Sequence, residues 1–365
     1  MSYDIGKNFT VRISGTSHGA NVSCEITGIP EGTVIDVTKV RKFLLRRAPG
    51  RSSFTSSRRE PDDPVFETGL RDGVSDGGAL KIVIPNSDAR SSDYEKLKDT
   101  PRPSHADYTA WVKYKGSMDM AGGGPFSGRM TAPLCAAGAV ALQMLESKGV
   151  YIGAHLLSVG DQHDEKYPLF PDRELLERSA EKEIPALSED AEMRFRETIR
   201  KAMEDGDSVG GIVECAVTGM PAGIGGPMFG GMEGAISYAV FGIPGVKGID
   251  FGSGFDAAGM RGSECNDPFT AECGWITTST NNSGGIQGGI TNGMPVVFRT
   301  AFKPTPSISL PQRTVSLSRM EDEILTIEGR HDPCIAVRAV PVVEAAAAIA
   351  VLDMMMEESD QYDSQ

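Results

Sequence analysis

Three short stretches set proton-transferring side chains beside other charged or hydrogen-bonding groups. In Gly15-Thr16-Ser17-His18-Gly19 a Ser-His pair stands between glycines at the end of a strand, where backbone and imidazole can come close to a ligand. The same residues also read as a plain turn with a surface histidine. In Arg102-Pro103-Ser104-His105-Ala106-Asp107-Tyr108 the imidazole of His105 has a cation and a carboxylate as near neighbours. That arrangement tunes a histidine for acid–base work, and equally satisfies a structural one. In Gly329-Arg330-His331-Asp332-Pro333 three ionisable groups are consecutive and close to an apolar run. Charges held against apolar surface are costly unless paired, so the triplet reads either as a site or as a helix entry with a local Arg–Asp pair.

The clearest electrostatic anomaly lies between residues 41 and 59. Arg41, Lys42, Arg46, Arg47, Arg51, Arg58 and Arg59 fall there with no acid among them, in a chain of net charge -14. Guanidinium forks match phosphate and carboxylate oxygens two at a time, and the interleaved Ser52, Ser53, Thr55, Ser56 and Ser57 add hydroxyl donors. A small polyanionic ligand is the reading this favours; a solvated basic face paired with acids elsewhere is the plain alternative. Two further stretches suit anions. Gly122-Gly123-Gly124-Pro125-Phe126-Ser127-Gly128-Arg129-Met130-Thr131 runs into a helix start, a natural anion cradle, although it is neither a Walker A loop nor a dinucleotide fingerprint. Lys303, Thr305 and Ser307, on a loop stiffened by Pro304 and Pro306, can hold a terminal phosphate or form a rigid connector.

Regular elements must hold these loops. Alternation predicts strands over Phe9–Ser14, Asn21–Thr27, Ala79–Pro85, Tyr151–Val159 and Val296–Ala301. Asp36 caps a helix over Val37–Arg47, stopped by Ala48-Pro49-Gly50, and a second helix spans Ala132–Lys148. Pro341 opens an alanine-rich helix, and residues 171–206 read as a charged helical excursion interrupted at Pro185. A pattern recurs: Ile26-Thr27-Gly28-Ile29-Pro30-Glu31-Gly32 returns as Val217-Thr218-Gly219-Met220-Pro221-Ala222-Gly223, each copy leading to a helical stretch, the second over Met232–Phe241. This predicts one domain over 1–365 made of two related halves, roughly 1–150 and 207–357, with a ligand between them.

The negative net charge argues against general nucleic-acid binding. Cys24, Cys135, Cys215, Cys265, Cys273 and Cys334 are scattered with no CxxC, which points to reduced thiols in a cytoplasmic protein rather than to a metal site. The start, Met1-Ser2-Tyr3-Asp4, has no signal-peptide pattern, and no apolar run is read as reaching the roughly 18 residues that span a bilayer.

Taken together and in order, Gly15–Gly19, Arg102–Tyr108, Ser127–Ala132, Asn281–Gly289, Phe302–Pro306 and Arg330–Pro333 resemble the motifs of the chorismate synthase family over almost the whole chain. The resemblance implies an α+β fold, a β-α-β sandwich with an internal pseudo-two-fold repeat, antiparallel sheets in the core and helices outside, and a homotetramer. It implies loss of phosphate and a ring proton from 5-enolpyruvylshikimate-3-phosphate to give chorismate, with reduced FMN required but not consumed, and NAD(P)H or a separate flavin reductase as the electron source. Carried over by motif, His18 protonates the departing phosphate and His105 sits at the flavin's pyrimidine edge. Asp332, Ser17 and Ser127 manage the proton at flavin N5. Arg46, Arg47, Arg102, Arg129 and Arg330 hold the substrate. Pro125, Phe126, Ser127, Pro244, Gly245, Gly288, Lys303, Pro304, Thr305, Pro306, Ser307 and Arg330 lie along FMN. Three positions depart from the family pattern: Thr16 and Met130 stand where it usually has Glu, and Pro125 where it usually has Arg. They keep open a flavin- or phosphosugar-binding paralogue with little catalysis; a flavin reductase fits less well, because no dinucleotide fingerprint occurs.

Overall fold

Asp36 opens the first helix as its side chain predicts, accepting hydrogen bonds from the Thr38 and Lys39 N–H groups at 2.8 and 3.3 Å. The computed structural model describes residues 2–50, 60–87, 99–118, 120–272, 274–327 and 332–363. Strands β1 (Ser2–Ile5), β2 (Thr10–Gly15), β3 (Asn21–Thr27), β4 (Val65–Thr68) and β5 (Leu80–Pro85) form one antiparallel sheet in the order β1-β2-β3-β5-β4. Strands β6 (Tyr151–Val159), β7 (Gln162–His163), β8 (Gly211–Thr218), β9 (Val246–Phe251) and β10 (Val296–Phe302) form a second, in the order β9-β10-β8-β6-β7, also antiparallel. The helices that build the core or carry the site are α1 (Val37–Arg47), α2 (Asp107–Tyr114), α3 (Thr131–Glu146), α4 (Arg173–Arg178), α5 (Glu189–Glu204), α6 (Met232–Phe241) and α7 (Ala336–Asp363).

The two sheets follow one plan. β2, β3, β5 and β4 are matched by β6, β8, β10 and β9; α1 and α6 follow β3 and β8, and α3 and α7 come after β5 and β10. The recurring Thr-Gly-apolar-Pro turn is the exit from β3 and from β8. β6 precedes the 207–357 span read for the second half, yet it occupies the place of β2.

The expected β-α-β sandwich is what the chain forms, with its helices as the middle layer rather than outside the sheets. α3 packs on β2, β3 and β5, α7 packs on β6 and β8, and the two helices pack on each other, so helices fill the middle and sheets flank them. The reason is composition. α3 is buried from Thr131 through Ala141, and α7 is buried from Val342 through Leu352. A helix apolar all round belongs inside. α4 and α5 pack against β6 and β7 of the second sheet. Small residues bring α3 and α7 together: a Cβ on Gly138 would sit 2.3 Å from Ala345 Cβ and 2.4 Å from its Cα. Gly138→Ala should therefore force the helices apart and lower stability by about 1–3 kcal/mol, read as a drop in Tm; an unchanged Tm would mean that this contact is not tight.

Two readings of the C-terminal helix are corrected. It begins at Ala336, so Pro341 lies inside it rather than opening it. By length and composition Ala336–Glu358 is also apolar enough to cross a membrane, but 83% of its most apolar window is buried within the protein, which makes it a core helix.

Candidate functional site

A cavity of about 680 Å³ opens where loops of both halves meet, between the end of α1, the 102–107 and 122–131 loops, the 241–247 and 302–307 segments and the start of α7. The sequence places a cation in nearly every wall: Arg47, Arg102, Arg129, Arg338, Lys247 and Lys303, against Glu60 and Asp332 as the lining acids among the described residues.

α1 supplies Arg47 but not Arg46. Neighbouring helix residues point about 100° apart, so one arginine faces the cavity and the other does not. The Arg46 fork is closed on Glu344 of α7 by bonds of 2.6 and 2.7 Å, and Glu344 also accepts the Ala154 N–H at 3.1 Å. Arg46 is absent from the cavity lining. Its expected role in substrate binding gives way to a structural ion pair. Arg47, 3% exposed, donates to Asp62, which is 1% exposed and also receives Arg129. Arg129 is held further by Asn86 Oδ1 at 2.7 Å and the Pro85 carbonyl at 3.0 Å, leaving N–H donors over for a ligand. Burial pushes the Arg47 guanidinium down to about 10; Asp62 works against the fall, while Arg338 and Arg129 add to it. Cations outnumber acids here, a field that favours anions.

Arg102 grips Asp107 with Nε and Nη2, both at 2.7 Å, and Asp107 Oδ1 lies 2.7 Å from His105 Nδ1. Burial would raise the Asp107 carboxyl, but hydrogen bonds from Arg102 and His105, with their charges, outweigh it and hold the carboxyl well below the usual carboxylate range. An ionised Asp107 fixes the His105 ring and leaves Nε2 toward the glycine loop, where a Cβ on Gly123 would come within 3.4 Å of it. Arg102 reaches Ser307 Oγ at 3.4 Å, so its fork serves His105 and the 302–307 loop more than a free ligand.

Gly122, Gly123 and Gly124 all have positive φ, at 62°, 87° and 52°, and press the backbone against the Ser17-His18 turn. The Ser17 N–H donates to the Gly124 carbonyl at 3.4 Å, and Ser127 Oγ donates to the buried Ser17 Oγ at 3.2 Å. His18 itself stands behind Gly122: a Cβ there would lie 1.9 Å from His18 Cε1. Asn86 ties the turn to Arg129, donating to the Thr16 and Gly19 carbonyls at 3.2 and 2.8 Å.

On the opposite wall Asp332 Oδ2 takes Arg338 Nη1 at 2.6 Å, and its carbonyl accepts Thr305 Oγ1 at 2.7 Å. Arg338 Nε then reaches the Arg47 carbonyl at 2.9 Å, joining the two walls. Lys303 Nζ donates to the carbonyl of Ser104, whose φ is 58°. Of the residues expected along a flavin, Pro125, Phe126, Ser127, Pro244, Gly245, Lys303, Thr305, Pro306 and Ser307 line the cavity, Pro304 lies within its loop, and Gly288 is not in the lining. Gly288 sits in the turn between Ile286–Gln287 and Ile290–Thr291, whose next residue, Gly289, packs against Gly226 and Gly231 instead. Arg330, His331, Arg51, Arg58 and Arg59 lie outside the described residues. Asp62, Asn86, Lys247 and Arg338 were not singled out from sequence; only the acid near a basic run could have drawn notice to Asp62.

Fold and cavity define an α+β protein whose cation-lined pocket suits small polyanions. The sequence matches the chorismate synthase family over residues 9–356. It is 42% identical to the chorismate synthase of Lancefieldella parvula across 97% of this chain and 96% of that protein. The chorismate synthase of Thermococcus gammatolerans is 44% identical across 96% and 97%. A crystal structure of chorismate synthase superposes with a TM-score of 0.77 at 26% identity, covering 97% of this chain and 93% of the other. The chain belongs to the chorismate synthase family.

Proposed function

We propose that this protein converts 5-enolpyruvylshikimate-3-phosphate to chorismate by loss of phosphate, with reduced FMN bound beside the substrate. The observation that carries the reading is the concentration of four arginines and two lysines around one cavity that also holds His105, Ser127 and Asp332, in a chain that matches this family almost end to end.

The cavity fits a flavin. Its glycine loop offers bare backbone at Gly122, Pro125, Phe126, Ile243 and Pro244 give an apolar wall, and Lys303, Thr305 and Ser307 supply a cation and hydroxyls. When bound, reduced FMN supplies the electron needed for the elimination. The protein's part is position, charge and protons. Arg47 and Arg129, locked by Asp62, face the substrate's phosphate and carboxylates, so charge building on the leaving group is met by donors already in place. His18 donates the proton to the departing phosphate. His105, oriented by Asp107, would hold the polar edge of a bound flavin, and Ser17, Ser127 and Asp332 would hold the proton exchanged there. The source of reducing electrons, NAD(P)H or a separate reductase, is outside this chemistry. Exposed apolar side chains of the second half, among them Phe229, Tyr238, Phe255 and Trp275, support association with further copies, and the homotetramer that the family resemblance implies would work in the cytoplasm.

The test is an anaerobic assay with photoreduced FMN and 5-enolpyruvylshikimate-3-phosphate. Stoichiometric chorismate and phosphate, with flavin still reduced at the end, is the expected result, and His18→Ala should cost about 10²–10⁴ in turnover. Tight flavin binding without chorismate would overturn the lyase reading in favour of a non-catalytic paralogue, with Thr16, Pro125 and Met130 the first positions to revert.

A further inference from the structure

Lys247 is the extra residue of a β-bulge. In the β9–β10 ladder Val246 faces Phe302 and Gly248 faces Ala301, so Lys247 between them has no partner across the strands. The Lys303 N–H then donates to the Gly245 carbonyl at 3.0 Å and closes the same end of the ladder. Bulges bend a strand and re-aim a side chain, and they recur beside functional sites. Here the bulge brings Lys247 and Lys303 to one rim of the cavity, and both line it. Neither lysine pairs with a carboxylate among the described residues, and the lining acids are engaged elsewhere: Glu60 with Ser87, at 2.8 and 3.0 Å, and Asp332 with Arg338. Lys303 spends one donor on the Ser104 carbonyl, and an ammonium group has three.

We propose that Lys247 is a ligand-binding residue of the cavity, forming with Lys303 a two-lysine clamp on the flavin's phosphate and setting the preference for FMN over riboflavin. The inference rests on the flavin reading above. Two unneutralised ammonium groups on one rim repel each other until a dianion lies between them. Consistent with this, burial first and then the charge of Lys247 push the Lys303 ammonium toward its neutral form. Lysine suits this task, because it meets a phosphate as a point charge without fixing its orientation. Thr305 and Ser307 on the same loop supply hydroxyls nearby.

The experiment titrates the full chain with oxidised FMN and separately with riboflavin, following flavin fluorescence. For Lys247→Ala the expected result is FMN affinity lower by about tenfold, riboflavin affinity within about twofold of wild type, and a shallower fall of FMN affinity with added salt. Lys247→Arg should retain most of the affinity for FMN. Parallel loss of FMN and riboflavin would assign Lys247 a structural role and overturn the proposal, as would unchanged FMN affinity, the result for a plain surface lysine. A wild-type protein that does not prefer FMN to riboflavin would overturn the flavin-phosphate reading itself and the clamp with it.

Discussion

Gly122→Ala is expected to lower anaerobic turnover by about a hundredfold or more, close to the loss from removing the His18 imidazole. Two independent constraints meet at this residue. Its φ of 62° lies in the left-handed region, which costs any residue with a Cβ about 1 kcal/mol. The new methyl would also lie 1.9 Å from His18 Cε1, 2.0 Å from Nδ1 and 2.8 Å from Ser17 Oγ. No contact of that length can persist, so the imidazole or the loop must move. A proton donor displaced by even an ångström loses most of its advantage. Chorismate formation from photoreduced FMN measures the effect, and a thermal melt checks that the fold survives. Turnover within a few-fold of wild type would show that the position of His18 against this loop is immaterial.

Asp62→Asn, which removes the carboxylate behind the lining arginines Arg47 and Arg129, is expected to be the most damaging single change of charge around the cavity, destabilising the protein by about 3–5 kcal/mol. Asp62 is 1% exposed and has a φ of 51°. Asparagine tolerates that backbone better than other residues, so the substitution isolates the charge. Without it, the guanidinium groups of Arg47 and Arg129 are left buried at 3% and 4% exposure with no shared carboxylate. The deficit should appear as a lower Tm and a lower urea midpoint. Inorganic phosphate should raise the Tm of this variant more than that of wild type, because an anion in the cavity takes over part of the lost neutralisation. Equal stability with and without the carboxylate would refute the claim that Asp62 is what holds the two arginines.

Much of the framework was open to a local reading. The Asp36 cap, the extent of α1 and α6, and the strand over Tyr151–Val159 emerged as expected, because caps and period act within a few residues. The recurring Thr-Gly-apolar-Pro turn is the exit from β3 and from β8, and the order of six short motifs announced the family. The glycine loop and the Lys303–Ser307 loop could be picked out by composition as candidates for holding an anion, and residues of both line the cavity.

What sequence could not decide was which groups meet. Arg46 and Arg47 are adjacent and chemically identical, yet one is spent on Glu344, 298 positions away, and the other faces the cavity. Asp62 and Asn86 are ordinary loop residues until the fold sets them against Arg129. Lys247 becomes a rim cation only because a bulge in one ladder leaves it unpaired. The alanine-rich helices were visible as helices, but their place between the sheets followed from packing, where Gly138 lets α3 approach α7. The sequence by itself determined the elements, the recurring turn and the family, since these rest on short-range geometry and on the order of motifs. The tertiary structure alone decided the partner of each buried charge, because a charge is satisfied by whatever neighbour the fold supplies, at any distance along the chain.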